Sequence, residues 1–126
     1  MDYFYYNLNI ISFDNIRRRQ YRKSMEYNSK FMNEETELLF DAVLSLETKD
    51  DCYRFFEDIC TINEFQSIAQ RFYIAKMLFE DKTYQEIEEI TKASTATISR
   101  INKCLKYGAD GYKITLDRIT DESSED

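Results

Sequence analysis

From Asn33 onward, apolar residues return at helical intervals, and each periodic run begins at a residue suited to cap a helix. Asn33 precedes "EETELLFDAVLSL", in which Leu38, Leu39, Ala42, Val43 and Leu46 share one stripe and acids fill the first turn, where the helix dipole favours them. Thr48 or Asp50 opens a second helix through Cys60, with Tyr53, Phe56 and Ile59 forming its apolar face and Phe55 and Cys60 flanking it. Thr61-Ile-Asn-Glu64 has the spacing of a capping box, in which residues three apart satisfy each other's free backbone donors, and predicts a third helix to about Glu80. Phe65, Ile68, Ala69, Phe72, Ala75, Met77, Leu78 and Phe79 cover more than one of its faces, so this helix should be central and packed by neighbours or by a second chain.

Thr83-Tyr-Gln-Glu86 repeats the capping box and starts a short fourth helix with Ile87 and Ile90 facing inward. Lys92-Ala93 makes a turn. Ser94 caps a fifth helix carrying Ile98, Ile101 and Leu105 at i, i+3 and i+7, and Tyr107-Gly108 ends it. Asp110 begins a sixth helix, "GYKITLDRI". With no proline and two glycines among 126 residues, little punctuates these helices, and the fold class is all-α. The length suits one domain, and a helical domain this small gains from pairing with a second copy.

The ends of the chain read differently. Residues 1–24 join an aromatic run to "RRRQYRKS" without a helical stripe, and are expected to be a disordered arm or an upstream extension whose natural start is Met25. A basic arm that tracks nucleic-acid phosphates is the functional alternative. Residues 25–119 form the expected domain, and residues 120–126, "TDESSED", an acidic disordered tail. Met1 to Phe13 lacks a preceding cationic region and is interrupted by Asp2, Asn7 and Asn9, unlike a signal peptide. No apolar stretch approaches the roughly 18 residues that span a membrane, so a cytoplasmic protein without membrane contact is expected.

Cys52, Cys60 and Cys104 contain no CxxC and there is no histidine, which argues against a metal site, a cofactor or the common acid–base chemistry. The thiols read as reduced, in or near a cytosolic core. Neither a phosphate loop nor a paired nucleophile and base is present, and the chain is not expected to be an enzyme. Charge is more informative. The total is −7, whereas residues 1–23 hold five basic side chains against two acids, a local +3 that leaves −10 for the rest. Inside that acidic remainder, residues 94–107 carry Arg100, Lys103 and Lys106 and no acid.

A helix-turn-helix uses its first helix to brace a second, whose outward side chains enter the DNA major groove. Ile87, Ile90, Ile98 and Ile101 supply the inward faces, leaving Thr95, Ala96, Thr97, Ser99, Arg100, Asn102, Lys103 and Lys106 as the expected DNA-binding residues. Small side chains permit close approach to base edges, methyls can touch thymine, and hydroxyls and arginine can bond bases or phosphates. A capped helical hairpin with a merely solvated face would more usually carry Glu, Lys or Gln than these hydroxyls. Glu86, Glu88 and Glu89 would repel phosphates if they faced DNA.

"ASTATISR" and "NKCLKYGADGY", after "CYRFFEDICTINEFQSIAQRFYIAKML", resemble the Trp-repressor superfamily, and more closely its YerC/YecD branch of TrpR-like proteins, from about Phe31 to Ile119. The resemblance implies a Trp-repressor-like helical bundle, an intertwined homodimer with one helix-turn-helix per chain, and double-stranded DNA as partner. Tryptophan-responsive members clamp their corepressor between two arginines, which correspond to Arg71 and Arg100, with Thr61 and Cys104 at other positions lining that pocket. Here Ile101 stands where those members have a glycine that makes room for the indole, and Cys104 replaces a serine that helps hold the ligand amine. Both departures argue against tryptophan, although an unidentified small anion near the two arginines remains open. Arg71 and Arg100 have a plainer reading, in which they pair with acids such as Asp58 or Glu64, or Arg100 contacts phosphate. The leading expectation is a regulator reading a palindromic site. The alternative is a dimeric protein-interaction or small-anion sensor module that keeps the fold without specific DNA binding.

Overall fold

The computed structural model describes residues 27–123, which form two compact units divided between Leu46 and Glu47. Among the described residues the architecture is all-α, in six helices: α1 (Glu34–Leu44), α2 (Lys49–Ile59), α3 (Ile62–Phe79), α4 (Tyr84–Thr91), α5 (Thr95–Tyr107) and α6 (Gly111–Glu122). None is long and apolar enough to cross a membrane. Residues 1–24, expected to be an arm or extension, lie outside the described residues, as do Ser124 to Asp126 of the acidic tail.

The first unit is built on α1. The Asn33 side chain accepts from the Thr36 amide at 2.9 Å and the Thr36 hydroxyl accepts from the Asn33 amide at 3.0 Å, so two orphan donors are satisfied reciprocally. α1 buries no residue completely, and Phe31, Leu38, Phe40 and Leu44 are exposed.

In the second unit, α3 packs against α2, α4, α5 and α6, which gives it the central place expected from its apolar surface. Capping boxes start α2 (Thr48 with Asp51), α3 (Thr61 with Glu64) and α4 (Thr83 with Glu86), and Ser94 caps α5. The core joins Ile74, Ala75 and Met77 of α3 to Ile87 of α4 and Ile98 and Ile101 of α5, with Leu78, Tyr84, Ala93 and Tyr112 around it. Leu105 and Leu116 are buried as well. On the other side of α3, Phe65 stacks on Phe56 at 6.2 Å and takes Tyr53 edge-on at 6.4 Å, fixing α2 by aromatic contact.

Three expectations change. Ile90 is 53% exposed, and it lines an open groove with Ala69, Gln70, Tyr73 and Thr91 instead of entering the core. α6 continues through Thr120, Asp121 and Glu122, three residues of the segment expected to be a disordered tail, because helix hydrogen bonding needs no apolar side chain. Cys52 and Cys104 are exposed free thiols, and only Cys60 is half-buried.

Candidate nucleic-acid interface

The turn between α4 and α5 sets the geometry of the candidate reading head. α4 ends at Lys92, whose φ of 60° lies in the left-handed region and reverses the chain within two residues. The Thr91 hydroxyl donates to the Ile87 carbonyl at 2.7 Å and accepts from the Ala93 amide at 3.2 Å, and Gln70 of α3 donates to the Thr91 carbonyl at 3.2 Å. These bonds hold the end of α4 on α3 while Ile87, Ile98 and Ile101 close the space between the helices. α5 stops at Gly108, where a Cβ would lie 2.4 Å from the Cys104 carbonyl oxygen; only glycine permits that approach.

With Ile98, Ile101 and Leu105 buried, the helical period turns Ala96, Arg100 and Lys103 to the opposite side, and all three are exposed, as are Ser99 and Lys106. α5 carries no acid. Neither Arg100 nor Lys103 nor Lys106 forms an ion pair among the described residues; the pairs found are Arg54–Asp50, Lys76–Glu80 and Lys113–Asp110. The structure therefore gathers five of the eight expected DNA-binding residues on one solvent-facing surface.

The other three are engaged in the protein. Thr97 is half-buried within the α5 cap, its amide donating to the Ser94 hydroxyl at 3.2 Å and its own hydroxyl 3.0 Å from that oxygen. Asn102 is half-buried and donates to the Tyr84 hydroxyl at 2.9 Å, so it joins α5 to α4 and leaves the outward face. Thr95 is exposed, but its hydroxyl donates to the Glu88 carboxylate. Tyr107, one turn after Lys103 and 82% exposed, extends the outward face and was not anticipated. A spacing of four from Lys103 was the signal for it.

The expected ligand-pocket residues are only partly brought together. Tyr112 of α6, its ring 6.3 Å from Phe72, has its phenol raised above the usual range by burial, with Cys104 adding to the shift and Arg71 opposing it. Arg71 and Cys104 thus both lie within electrostatic reach of one half-buried tyrosine. Thr61 does not join them: it caps α3 ten residues before Arg71, roughly 15 Å away along a helix rising about 1.5 Å per residue. Ile101, 4% exposed, belongs to the core cluster. The expected pairing of Arg71 or Arg100 with Asp58 or Glu64 is not formed; Glu64 accepts from the Thr61 amide at 2.9 Å as part of the α3 cap.

This arrangement of a braced, basic second helix can be compared with known proteins. The Trp repressor protein family matches residues 34–120. The chain belongs to the Trp repressor family. It is 52% identical over 96 residues to the uncharacterized protein YerC of Bacillus subtilis (strain 168), spanning 76% of this chain and 92% of that one. The solved structure of a TrpR-like protein from Eubacterium eligens ATCC 27750 superposes with a TM-score of 0.70 at 54% identity, covering 74% of this chain and 96% of that one. A structure from Staphylococcus aureus described as a candidate Trp repressor gives 0.69 at 46% identity, over 77% and 96% of the two chains. Membership points to a DNA-binding regulator in a family of typically non-enzymatic proteins.

Proposed function

We propose that this chain is a cytoplasmic, homodimeric transcriptional regulator that reads a palindromic DNA site through α4 and α5, without tryptophan as corepressor. The observation that carries the reading is the outward face of α5, where Ala96, Ser99, Arg100, Lys103 and Lys106 are exposed together with no acid on the helix. Phosphate contacts from such cations position a protein on DNA, and the small side chains between them leave room for base edges. Family membership supplies independent support.

Dimerisation is supported by surface chemistry. Sixteen large hydrophobic residues are exposed among those described, including Leu38, Phe40, Ile59, Ile62 and Ile68, and eight hydrophobic residues are buried. Ile101, packed in the core, stands against an indole at that place, since a preformed cavity is what such a ligand needs.

The alternative, a protein-interaction or small-anion sensor module, draws support from the acidic total charge and from the exposed groove around Ile90 and Tyr73. Selection of random duplexes by the purified protein at low and moderate salt, followed by sequencing, separates the two. Recovery of a palindrome is expected. A folded dimer that enriches no sequence at either salt would instead point to the interaction module.

A further inference from the structure

The Thr95 hydroxyl donates to the carboxylate of Glu88, seven residues earlier on α4, a contact that exists because the left-handed turn at Lys92 folds α5 back beside α4. A threonine hydroxyl has one proton and two lone pairs. With the proton held by Glu88, the exposed Thr95 oxygen has only lone pairs to offer outward. We propose that Glu88 is a specificity-determining residue, which fixes Thr95 as a hydrogen-bond acceptor so that each chain selects a base with a major-groove amino group, adenine N6 or cytosine N4, at one position of each half-site. This rests on the DNA-reading function proposed above.

Thr95 is the first residue of α5, and the N-terminal residues of a recognition helix are those that contact base edges. An unconstrained threonine can donate or accept and so discriminates poorly among bases. Guanine offers O6 and N7 at the major-groove edge and thymine O4, all acceptors, which would meet the Thr95 lone pairs head-on. A hydroxyl that donates to a charged acceptor also becomes a better acceptor itself, which strengthens the bond to an amino group. Glu88 is half-buried and no cation pairs with it among the described residues. Its carboxylate therefore stands behind Thr95 without an ion-pair partner, and adds to the exclusion of electron-rich base edges. The same charge lowers affinity for DNA of every sequence.

The experiment is the duplex selection performed with the wild-type protein, Glu88→Ala and Thr95→Val, each checked for native helicity by circular dichroism. The wild type should prefer one orientation of the base pair about fivefold at one position per half-site, the orientation that turns adenine N6 or cytosine N4 towards Thr95, as expected for a single net hydrogen bond. Thr95→Val, which keeps the shape and removes the hydroxyl, should flatten that position alone. Glu88→Ala frees the hydroxyl to rotate and should flatten the same position, leave the remaining palindrome intact and raise overall affinity. A palindrome whose preferences are unchanged in Glu88→Ala or in Thr95→Val overturns the inference while leaving the DNA-reading function standing. If Glu88→Ala does not fold, Glu88→Gln replaces it, since a side-chain amide can donate as well as accept and so releases the Thr95 proton: flattening of the position that Thr95→Val flattens supports the inference, and an unchanged preference refutes it. A wild-type protein that selects no palindrome overturns the function itself and the inference with it.

Discussion

Replacing Lys103 by alanine should flatten the dependence of DNA binding on salt, while replacing Lys76 should not. Lys92, Arg100, Lys103 and Lys106 are exposed and none is ion-paired among the described residues, so each is free to displace a counterion from a phosphate. Four per chain make eight per dimer. At about 0.9 per neutralised phosphate, the log–log slope approaches −7 if all engage and about −4 if half do. Affinity should then fall by roughly 10² to 10⁴ between about 50 and about 200 mM salt. Lys103→Ala removes one cation from each chain and should reduce the steepness by about 2. Lys76 is the internal control. It is held by Glu80 at 2.7 Å, and the hydrogen bond it donates to that carboxylate raises its pKa above the usual lysine value, so its charge is already answered within the protein. The assay is fluorescence anisotropy of a labelled duplex across a potassium chloride series. Equal slopes for wild type and Lys103→Ala, or equal flattening by Lys76→Ala, would refute α5 as the DNA-facing surface.

Other perturbations test the scaffold. Ile98 is fully buried against α3 and α4, and Ile98→Ala should lower the unfolding free energy by about 2–5 kcal/mol in chemical denaturation; a loss below about 1 kcal/mol would remove Ile98 from the core. Lys92→Gly relieves the left-handed backbone of the turn and should stabilise by about 1 kcal/mol while weakening DNA binding, whereas an unchanged melting temperature would contradict a positive φ there. Asp51, bonded by the Glu47 and Thr48 amides, and Glu86, bonded by the Thr83 amide, titrate below the usual carboxylate range. A carboxylate depressed in the folded state contributes stability above its unfolded pKa and loses it as pH falls through the folded value. Unfolding midpoints should therefore drop on acidification through and below that range, and Glu86→Gln should make the drop shallower; equal acid limbs would refute the contribution of the cap.

Helix starts were legible because each is written in the local chemistry of three or four residues. Asn33, Thr61, Thr83 and Ser94 all cap as expected, and of Thr48 and Asp50, the two candidates for the second helix, Thr48 is the cap. The core positions Ala75, Met77, Ile87, Ile98 and Ile101 follow from helical periodicity combined with tight turns, whereas the fully buried Ile74 was missed and Ile68 and Phe79, expected on the apolar faces, are exposed. Legibility ended where contacts cross between elements. Asn102 looks as polar as Lys103, yet it lies one turn after buried Ile98, and that spacing was the available sign that it would turn towards Tyr84. Ile90 has the correct phase for the core, but α4 has only eight residues and α5 departs at once, so the last turn of α4 reaches past the packed region. The Glu88–Thr95 contact depends on backbone geometry at Lys92, which no propensity of lysine announces. For the candidate DNA face, periodicity located the helix and its charge, while the division of its hydroxyls between solvent, cap and carboxylate required coordinates.

That division bears on how an acidic protein could read DNA. Mobile ions screen exposed charges beyond about 8 Å at physiological ionic strength, so the total of −7 matters less at a docked duplex than the charges within a turn or two of α5. Those charges are mixed: Arg100, Lys103 and Lys106 lie along the helix, and Glu88 stands beside its first residue. Attraction to phosphate is insensitive to sequence, and the bulk acidity weakens it during diffusional approach, when the whole field is felt. Base contacts near the α5 N-terminus must then supply a larger share of the affinity for a correct site. A carboxylate at that end reduces binding everywhere, but it reduces binding least where an amino group on the base faces the Thr95 oxygen. In this reading the protein trades general affinity for discrimination, and Glu88→Ala would shift it the other way.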